Sequence, residues 1–557
     1  MWKKLVLGII AVLIGVGLLV WLNRASILTY VALNQVESNR YPVAPHKPIE
    51  WQNGPTAVDV SATERPPNIV FILLDDLGIN DLSTFGGGVA GGRVPTPNMD
   101  KLATDGAIFT QAYAGTGTCA PSRAMLMTGR YPTRTGFEFT PMINGMGRVV
   151  STIANGQDRG TLPNVEFNRS TARTTIPYDD QGLPGSEITI AELLKDRGYH
   201  TVHIGKWHLG RNEESNPNAQ GFDESLYLHN SLYLPEDDPN VVNAKLDFDP
   251  IDKFLWASGQ YAASFNNGEP FEPGGYLTDW WTDESLKVIE ANKHRPFFLY
   301  LAHWGVHTPL QATKADYEAV GDIEPHRLRV YAAMLRALDR SVGRVMEKLE
   351  AEGLAENTVI VLSSDNGGAG YIGLSDINAP YRGWKITLFE GGIRVPMFIK
   401  WPSRIAPQTI VETPVAHIDL LPTLAAAADI QLPSDLEIDG RNMLPAATGT
   451  GAIERPNDAI FWQSGYYRVV RAGDWKLQLN ERDNRVWLFD LASDPTEQTN
   501  LAETRPDKVA DLTLLLDEHQ ANSVGALYEY TLESPISIDK PPVEGIEAGD
   551  DYVWWPN

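Results

Sequence analysis

The stretch NIVFILLDDLG, residues 68–78, decides the fold of this chain. It opens with an apolar run that has the length and composition of a strand buried on both faces, and two carboxylates, Asp75 and Asp76, follow directly. Three other apolar runs end in a similar way, and amphipathic helical patterns separate them. This alternation predicts an α/β fold with a largely parallel sheet.

Each of the three other runs leads into ionisable or amide side chains. GYHTVHIG (198–205) is followed by Lys206, Trp207 and His208; PFFLYLA (296–302) by His303 and then His307; and TVIVLSS (358–364) by Asp365 and Asn366. Open α/β sheets bind their ligands at the carboxyl ends of the strands, so we expect these four strand ends to meet at one site.

Length and composition bound the possible classes of protein. The chain has 557 residues, 43% hydrophobic and 21% charged, which is typical of a folded protein with one large domain and at least one smaller one. The formal net charge of −25 argues against nucleic acid as a partner. An anionic substrate would therefore need a local cationic site.

The N-terminus carries a targeting signal. Lys3 and Lys4 precede the uncharged, mostly apolar residues 5–22, which as a helix nearly cross a bilayer core of roughly 30 Å. Because no small-residue cleavage site follows closely, we expect a signal anchor within residues 1–24 rather than a cleaved signal peptide. The lysines place the rest of the chain outside the cytoplasm, in the periplasm or another extracytoplasmic space, with residues 25–65 as a linker.

The carboxylates after the strands offer oxygen donors only. Asp75, Asp76, Asp365 and Asn366 form a donor set that suits Ca²⁺ or Mg²⁺ better than zinc. Any one pair could instead cap a helix or stabilise a turn, but two pairs after two strands of one sheet favour a metal site.

Four cationic or titratable side chains complete the candidate site. Lys206 and His208 are two residues apart, so in an extended segment they face the same side, where they could hold an anion and move a proton. His307 precedes Thr308-Pro309 and Lys385 lies in NAPYRGWKITLFEGGIRVP (378–396). Taken singly, these residues could also be a turn histidine and solvated surface lysines.

Cys119, the only cysteine, lies in GTGTCAPSRAMLMTGRYP (115–132) at a predicted helix start. On composition it could be an inert core residue or a thiolate nucleophile. A cysteine phosphatase loop would separate the cysteine from its arginine by five residues, whereas three separate Cys119 from Arg123. A neighbouring acidic metal site would also compete for a thiolate.

Two of these stretches, GTCAPSRAMLMTG (117–129) and GYHTVHIGKWH (198–208), match the two signatures of a known family. The chain resembles the formylglycine-dependent sulfatases of the arylsulfatase A/B type, in the alkaline phosphatase superfamily. Further similar stretches, such as PTPNMDKLATDGAIFTQAYA and LFDLASDPTEQTNLA, extend the resemblance over most of residues 66–505.

The resemblance implies that Cys119 is oxidised to formylglycine by a separate formylglycine-generating enzyme, which reads the Cys-x-Pro-x-Arg segment. The hydrated aldehyde would supply the nucleophilic oxygen on one metal ion, Ca²⁺ in preference to Mg²⁺. The implied metal ligands are Asp75, Asp76, the modified Cys119, Asp365 and Asn366.

The resemblance also implies a role for each remaining site residue. Arg123 would fix the diol, Lys206 and Lys385 would hold the sulfate oxygens, and Asp365 would accept the proton of the attacking hydroxyl. His307, together with Lys385, would protonate the leaving alcohol oxygen, with His303 as a rival. His208 would take the proton from the second hydroxyl as sulfate leaves.

The implied architecture is a catalytic domain at residues 66–440, with a mixed, mostly parallel central sheet between helices. A smaller C-terminal subdomain at 441–557 would contain a short antiparallel sheet and a helix. Residues 140–185 show little regular patterning and are expected to be an insertion near the active site that shapes substrate choice. The acidic tail either packs through Trp554 and Trp555 or is mobile.

The leading hypothesis is therefore a sulfuric ester hydrolase, with a sulfated carbohydrate as substrate. A second enzyme hypothesis is a phosphodiesterase or phosphonate monoester hydrolase of the same superfamily. A third is a membrane-tethered, non-catalytic protein that binds sulfated polymers.

Overall fold

The computed structural model describes residue 2, residues 4–10, residue 15 and residues 24–57, 65–143 and 145–557. Its strands, in chain order, are β1 (Asn68–Leu74), β2 (Ala107–Phe109), β3 (Ala112–Tyr113), β4 (Glu166–Phe167), β5 (His200–Gly205), β6 (Glu224–Leu228), β7 (Val241–Ala244), β8 (Ala263–Phe265), β9 (Phe297–Ala302), β10 (Leu310–Thr313), β11 (Thr358–Ser364), β12 (Met397–Lys400), β13 (Thr409–Val411), β14 (Val415–Ala416), β15 (Ala459–Ser464), β16 (Tyr467–Ala472), β17 (Trp475–Asn480), β18 (Arg485–Asp490), β19 (Leu532–Ser537) and β20 (Tyr552–Pro556).

From residue 24 onward, the helices of seven or more residues are α1 (Arg24–Ser38), α2 (Pro97–Thr104), α3 (Cys119–Thr128), α4 (Met146–Asn155), α5 (Ile190–Asp196), α6 (Pro250–Ser258), α7 (Leu277–Asn292), α8 (His326–Ala351), α9 (Leu420–Ala427) and α10 (Pro506–Gln520). Shorter α-helices cover Val89–Gly92, Pro132–Thr135, Thr171–Thr174, Lys314–Ala319, Glu390–Ile393 and Leu444–Ala447.

A nine-stranded mixed sheet forms the centre of the molecule, in the order β13-β2-β12-β11-β1-β9-β5-β6-β8. Five consecutive strands, β11, β1, β9, β5 and β6, are parallel to one another. The strands β12 and β8 add antiparallel pairs on either side. The predicted α/β fold with a mostly parallel central sheet is confirmed.

The strand β1 shows why its sequence is apolar from Ile69 to Leu74. All seven of its residues are buried. Val70, Ile72 and Leu74 face a core that includes residues of α7 and α8, whereas Ile69 and Phe71 face a second core that includes residues of α5 and α9. A strand covered by helices on both faces has no position for a polar side chain until it ends.

The C-terminal part contains the predicted antiparallel sheet and helix. The strands β15 to β18 form a four-stranded antiparallel sheet, and α10 packs on it through Leu512 and Leu516. The domain boundary at residues 440/441 remains a prediction.

The insertion and the tail pair with each other. The strand β19 lies between β20 and β4 in a three-stranded antiparallel sheet, so the end of the chain is joined to residues 140–185. Trp554 and Trp555 are buried, which decides between the two alternatives for the tail: it packs. The insertion also contains the regular helix α4, which its sequence did not indicate.

Residues 25–65 were predicted to be a linker, but the structure shows a helix and tertiary contacts over much of this segment. It is helical in α1 and then follows the surface of the domain, where the backbone of Tyr41 pairs with the side chain of Gln260. Further on, Trp51 is buried and its indole N–H donates to Glu284 Oε2 at 2.8 Å. Tertiary partners about 200 residues away along the chain fix this segment, and local composition does not reveal them.

The predicted anchor lies mostly outside the described residues, which omit residues 11–14 and 16–23. Within the described part of the chain, no helix combines the length and hydropathy that crossing a bilayer requires.

Candidate active site

The four polar strand ends meet at one edge of the central sheet. The strands β11, β1, β9 and β5 are consecutive and parallel, so the residues that follow them come together. The start of α3, which carries Cys119, lies over the same edge, with Cys119 Sγ 3.7 Å from Asp75 Oδ1.

The acidic residues form a compact donor cluster. Donor atoms of Asp75, Asp76, Cys119 and His307 all lie within 4.8 Å of one another. The amide nitrogen of Asn366 donates to Asp76 Oδ1 at 2.8 Å, and Asp365 Oδ1 accepts from the backbone N–H of Asp76 at 3.3 Å. The predicted ligands are therefore brought together, and the structure adds His307 to their neighbourhood.

This cluster fits a hard divalent cation. Asn366 Oδ1 is buried and has no hydrogen-bond partner among the described residues, as expected for an oxygen that ligates a metal. Three buried carboxylates surround it, and carboxylate and amide oxygens are the ligands that Ca²⁺ prefers.

Arg123 joins two of these carboxylates at the bottom of the site. Its guanidinium donates to Asp75 Oδ2 and Asp365 Oδ2, both at 2.9 Å, and to the carbonyl of Lys206 at 2.8 Å. Burial would lower the pKa of Arg123, but Asp365 and Asp75 raise it well above its usual value, so the side chain stays charged. Burial and the neighbouring Asp365 raise the pKa of Asp75.

Two lysines bring positive charge to the opposite side of the cluster. Lys206 Nζ lies 2.7 Å from Asp75 Oδ2, and Lys385 Nζ lies 2.7 Å from Asp76 Oδ1. Both lysines are buried and both line the cavity above Cys119. They form the local cationic site that an anionic substrate needs on a chain with a net charge of −25.

Cys119 is held in place by close backbone packing. The carbonyl of Gly117 accepts a 2.6 Å hydrogen bond from the N–H of Ile386, and a Cβ on Gly117 would lie 2.5 Å from the carbonyl oxygen of Thr387. Glycine thus lets the start of α3 touch the Lys385 loop. Burial and Asp365 raise the pKa of the Cys119 thiol to about 12, which disfavours a thiolate nucleophile.

The three candidate histidines differ in position. His307 Nε2 lies 3.6 Å from Asp76 Oδ2, while its Nδ1 is hydrogen-bonded to the carbonyl of Thr308 at 2.6 Å. His208 lines the same cavity, and its Nδ1 is buried without a partner among the described residues. His303 is turned away into the core, where its Nε2 is hydrogen-bonded to Ser341 at 2.9 Å. Of the two rival histidines, His307 is therefore the one that lines the cavity.

Sequence reasoning missed two aromatic residues of the site. Trp304 stacks on the ring of His307 with centroids 4.0 Å apart, and Lys206 Nζ lies 4.7 Å from its ring centroid. The hydroxyl of Tyr371 donates to Asp76 Oδ2 at 3.3 Å. Trp304 follows a strand end, a signal that could have identified it; Tyr371 has no comparable signal.

Buried charges outside the cavity hold the loop that carries Lys385. Lys476, on β17, lies 3.0 Å from Glu390 Oε1 and 2.9 Å from Glu497 Oε1, and all three side chains are fully buried. The backbone N–H of Glu390 also donates to Glu497 Oε2. The C-terminal antiparallel sheet thereby fixes the loop against the active site.

A cavity of about 470 Å³ opens above Cys119, a size typical of small-molecule sites. One part of its wall carries Lys206, His208, His307 and Lys385, while other parts come from α1, α4, α6, the C-terminal tail, Arg211 and the end of β6. An anion and a larger attached group can therefore occupy one continuous space.

Comparison with known proteins gives the same family along most of the chain. The family model described as Sulfatase matches residues 67–430, and the model described as N-sulphoglucosamine sulphohydrolase, C-terminal, matches residues 383–522. N-acetylgalactosamine-6-sulfatase of Sus scrofa is 33% identical over 87% of this chain and 91% of its own length. Steryl-sulfatase of Mus musculus is 30% identical over 73% of this chain and 69% of its own length.

Solved structures agree. The crystal structure of Ps i-CgsB in complex with k-i-k-neocarrahexaose superposes with a TM-score of 0.67 at 29% identity, covering 83% of this chain and 95% of that chain.

Proposed function

Because this chain belongs to the sulfatase family and is a sulfuric ester hydrolase, we propose that it removes sulfate from a carbohydrate-containing substrate in the cavity above Cys119. The observation that carries the proposal is the placement of two buried lysines and a carboxylate cluster around one cysteine. The sugar sulfatase among the relatives supports a carbohydrate, whereas the steryl-sulfatase shows that relatives also take other alcohols.

The proposed cofactors are one Ca²⁺, held by Asp75, Asp76, Cys119, Asp365 and Asn366, and a formylglycine made from Cys119. Bound Ca²⁺ would supply a Lewis acid, and the hydrated aldehyde would supply an oxygen nucleophile at neutral pH. The orphaned Asn366 Oδ1 and the short Cys119–Asp75 distance support this assignment.

The cationic side chains would then bind and orient the sulfate group. Lys206 pairs with Asp75 and Lys385 with Asp76, so each lysine can donate to a different sulfate oxygen. Fixed charges aimed at the place where negative charge develops contribute most to such reactions. Arg123 bridges Asp75 and Asp365 and would orient the residue at position 119.

The remaining residues would move protons. Asp365 would accept the proton of the attacking group: burial alone would raise its pKa, but Arg123 and Lys206 lower the pKa below the usual value, so the carboxylate is ionised. His307 and Lys385 flank the leaving alcohol oxygen and protonate it. His208, with its unpaired Nδ1, serves as the base when sulfate is released.

A sulfate-release assay on the matured protein tests this function. We expect the peptide containing Cys119 to be lighter by about 18 mass units, as conversion of CH₂SH to CHO requires. Protein with that peptide should release sulfate from 4-nitrophenyl sulfate, and chelation of divalent cations should lower the rate at least tenfold.

The same assay distinguishes a sulfatase from the competing hypothesis of a phosphodiesterase or phosphonate monoester hydrolase. 4-Nitrophenyl phosphate is the matched control, and we expect its kcat/KM to be at least tenfold lower. Fully matured protein that prefers the phosphate ester, or that releases no sulfate from any aryl or glycan sulfate, would refute the proposed function.

We also propose that the catalytic part is extracytoplasmic and tethered by residues 5–22. The apolar run after Lys3 and Lys4 supports this, and so does the exposure of Ile27, Leu28, Tyr30 and Val31 on α1. We expect the full chain to sediment with membranes and a chain starting at residue 24 to stay in the supernatant. Equal distribution of the two chains would contradict the tether.

A further inference from the structure

The part of the cavity away from Cys119 is apolar. The helices α1, α4 and α6 pack on one another there, and their facing side chains include Val36, Met146, Val150, Ile251 and Phe254. Met142 and Ile143, just before α4, line the same space. Its walls therefore come from the predicted linker, the insertion and a helix of the catalytic domain.

Four of the polar side chains that line the cavity, those of Gln260, Asn230, Gln181 and Asn557, are hydrogen-bonded to the protein itself. Gln260 accepts from the N–H of Tyr41 at 3.1 Å and donates to its carbonyl at 2.7 Å. Asn230 donates to the hydroxyl of Tyr41 at 3.1 Å. The side chain of Gln181 is hydrogen-bonded to the backbone of Met142 and Ile176. The side chain of Asn557 is hydrogen-bonded to the backbone of Thr140.

The apolar space between α1, α4 and α6 disfavours a sugar ring. Each sugar hydroxyl that loses water needs a protein partner, and an unpaired polar group in such a place costs about 1–3 kcal/mol. Apolar groups, in contrast, gain by entering the space. The cavity thus combines a cationic end for a sulfate with an apolar region between α1, α4 and α6.

We propose that the substrate is an amphiphilic sulfate ester, whose apolar alkyl or aryl part occupies the space between α1, α4 and α6. This inference rests on the proposed function and narrows it: a sulfated sugar linked to an apolar group satisfies both. Val36, Met146 and Phe254 are then specificity-determining residues.

Calorimetric binding of primary alkyl sulfates to the full-length protein tests the inference without requiring turnover. Burial of a methylene contributes about 0.8 kcal/mol, which is about fourfold in affinity. We expect Kd to fall at least tenfold from butyl sulfate to octyl sulfate, and octyl sulfate to bind more tightly than octanol and galactose 6-sulfate. Octyl sulfate should also inhibit 4-nitrophenyl sulfate hydrolysis competitively.

Variants distinguish binding of alkyl sulfates in the cavity from non-specific detergent binding elsewhere on the protein. Met146→Ser and Val36→Ser change half-buried wall positions, and each should reduce the ratio of butyl to octyl Kd at least threefold. The matched control is Leu514→Ser: Leu514 is 62% exposed on α10 and does not line the cavity, so this change should leave the ratio unchanged.

Two results would overturn the inference: a Kd that does not depend on chain length, or a ratio that Leu514→Ser lowers as much as Met146→Ser does. Failure of the proposed function gives a different pattern, namely no hydrolysis of 4-nitrophenyl sulfate by matured protein while the chain-length dependence of binding persists.

Discussion

Replacing Cys119 with alanine is expected to reduce sulfate release by about 10,000-fold or more, because it removes the side chain from which the nucleophile is made. The fold should be preserved. Cys119 is the only cysteine, so no disulfide is lost, and the change deletes one sulfur atom at the start of α3. Steady-state hydrolysis of 4-nitrophenyl sulfate, together with a thermal melt, measures both parts of this expectation.

A second control is wild-type protein that lacks the modification at residue 119. Wild-type protein produced in a host without the formylglycine-generating enzyme retains the thiol at residue 119, and it should be as inactive as Cys119→Ala while melting at the same temperature. Residual activity above about 1% in Cys119→Ala, with an unchanged fold, would show that the nucleophile lies elsewhere.

The sequence predicted the active-site edge of the sheet well, because the signals are local. Four apolar runs end in polar residues, and parallel strands that are neighbours bring their carboxyl ends together. Asp75, Asp76, Asp365 and Asn366 were placed by this rule alone. The choice between His303 and His307, in contrast, depends on which ring turns into the core, and only the contact between His303 and Ser341 shows it.

The walls of the cavity could not be predicted, because they depend on contacts between distant segments. Residues 25–65 have the composition of a linker, yet Tyr41 pairs with Gln260 and Trp51 with Glu284. The tail pairs with the insertion through β19 and β4, two elements separated by over 300 residues. Local propensity carries no information about such pairs, so the sequence revealed the chemistry of the site but not the shape that selects the substrate.

Arg123 is the residue on which the site's stability depends most directly. It is fully buried, and its guanidinium is the partner of two fully buried carboxylates, Asp75 and Asp365, and of the Lys206 carbonyl. A buried ion pair is costly to form, but removing one partner leaves uncompensated charge in a low-dielectric interior, which costs about 3–5 kcal/mol. Asp75 retains Lys206 Nζ at 2.7 Å, whereas Asp365 Oδ2 loses the Arg123 side chain as its donor.

Arg123→Met is therefore expected to lower the stability of the protein by about 3–5 kcal/mol and to reduce kcat/KM for 4-nitrophenyl sulfate at least 1,000-fold, measured by calorimetric melting and by steady-state kinetics. Arg123→Lys restores the charge without the two-armed geometry, so it should recover part of the melting temperature and little of the activity. The matched control is Arg344→Met, which breaks a solvent-exposed ion pair with Asp283 and should cost at most about 1 kcal/mol with no change in rate. If Arg123→Met melts like the Arg344→Met protein, the guanidinium does not hold the carboxylate cluster together, and the bridging role assigned to it is wrong.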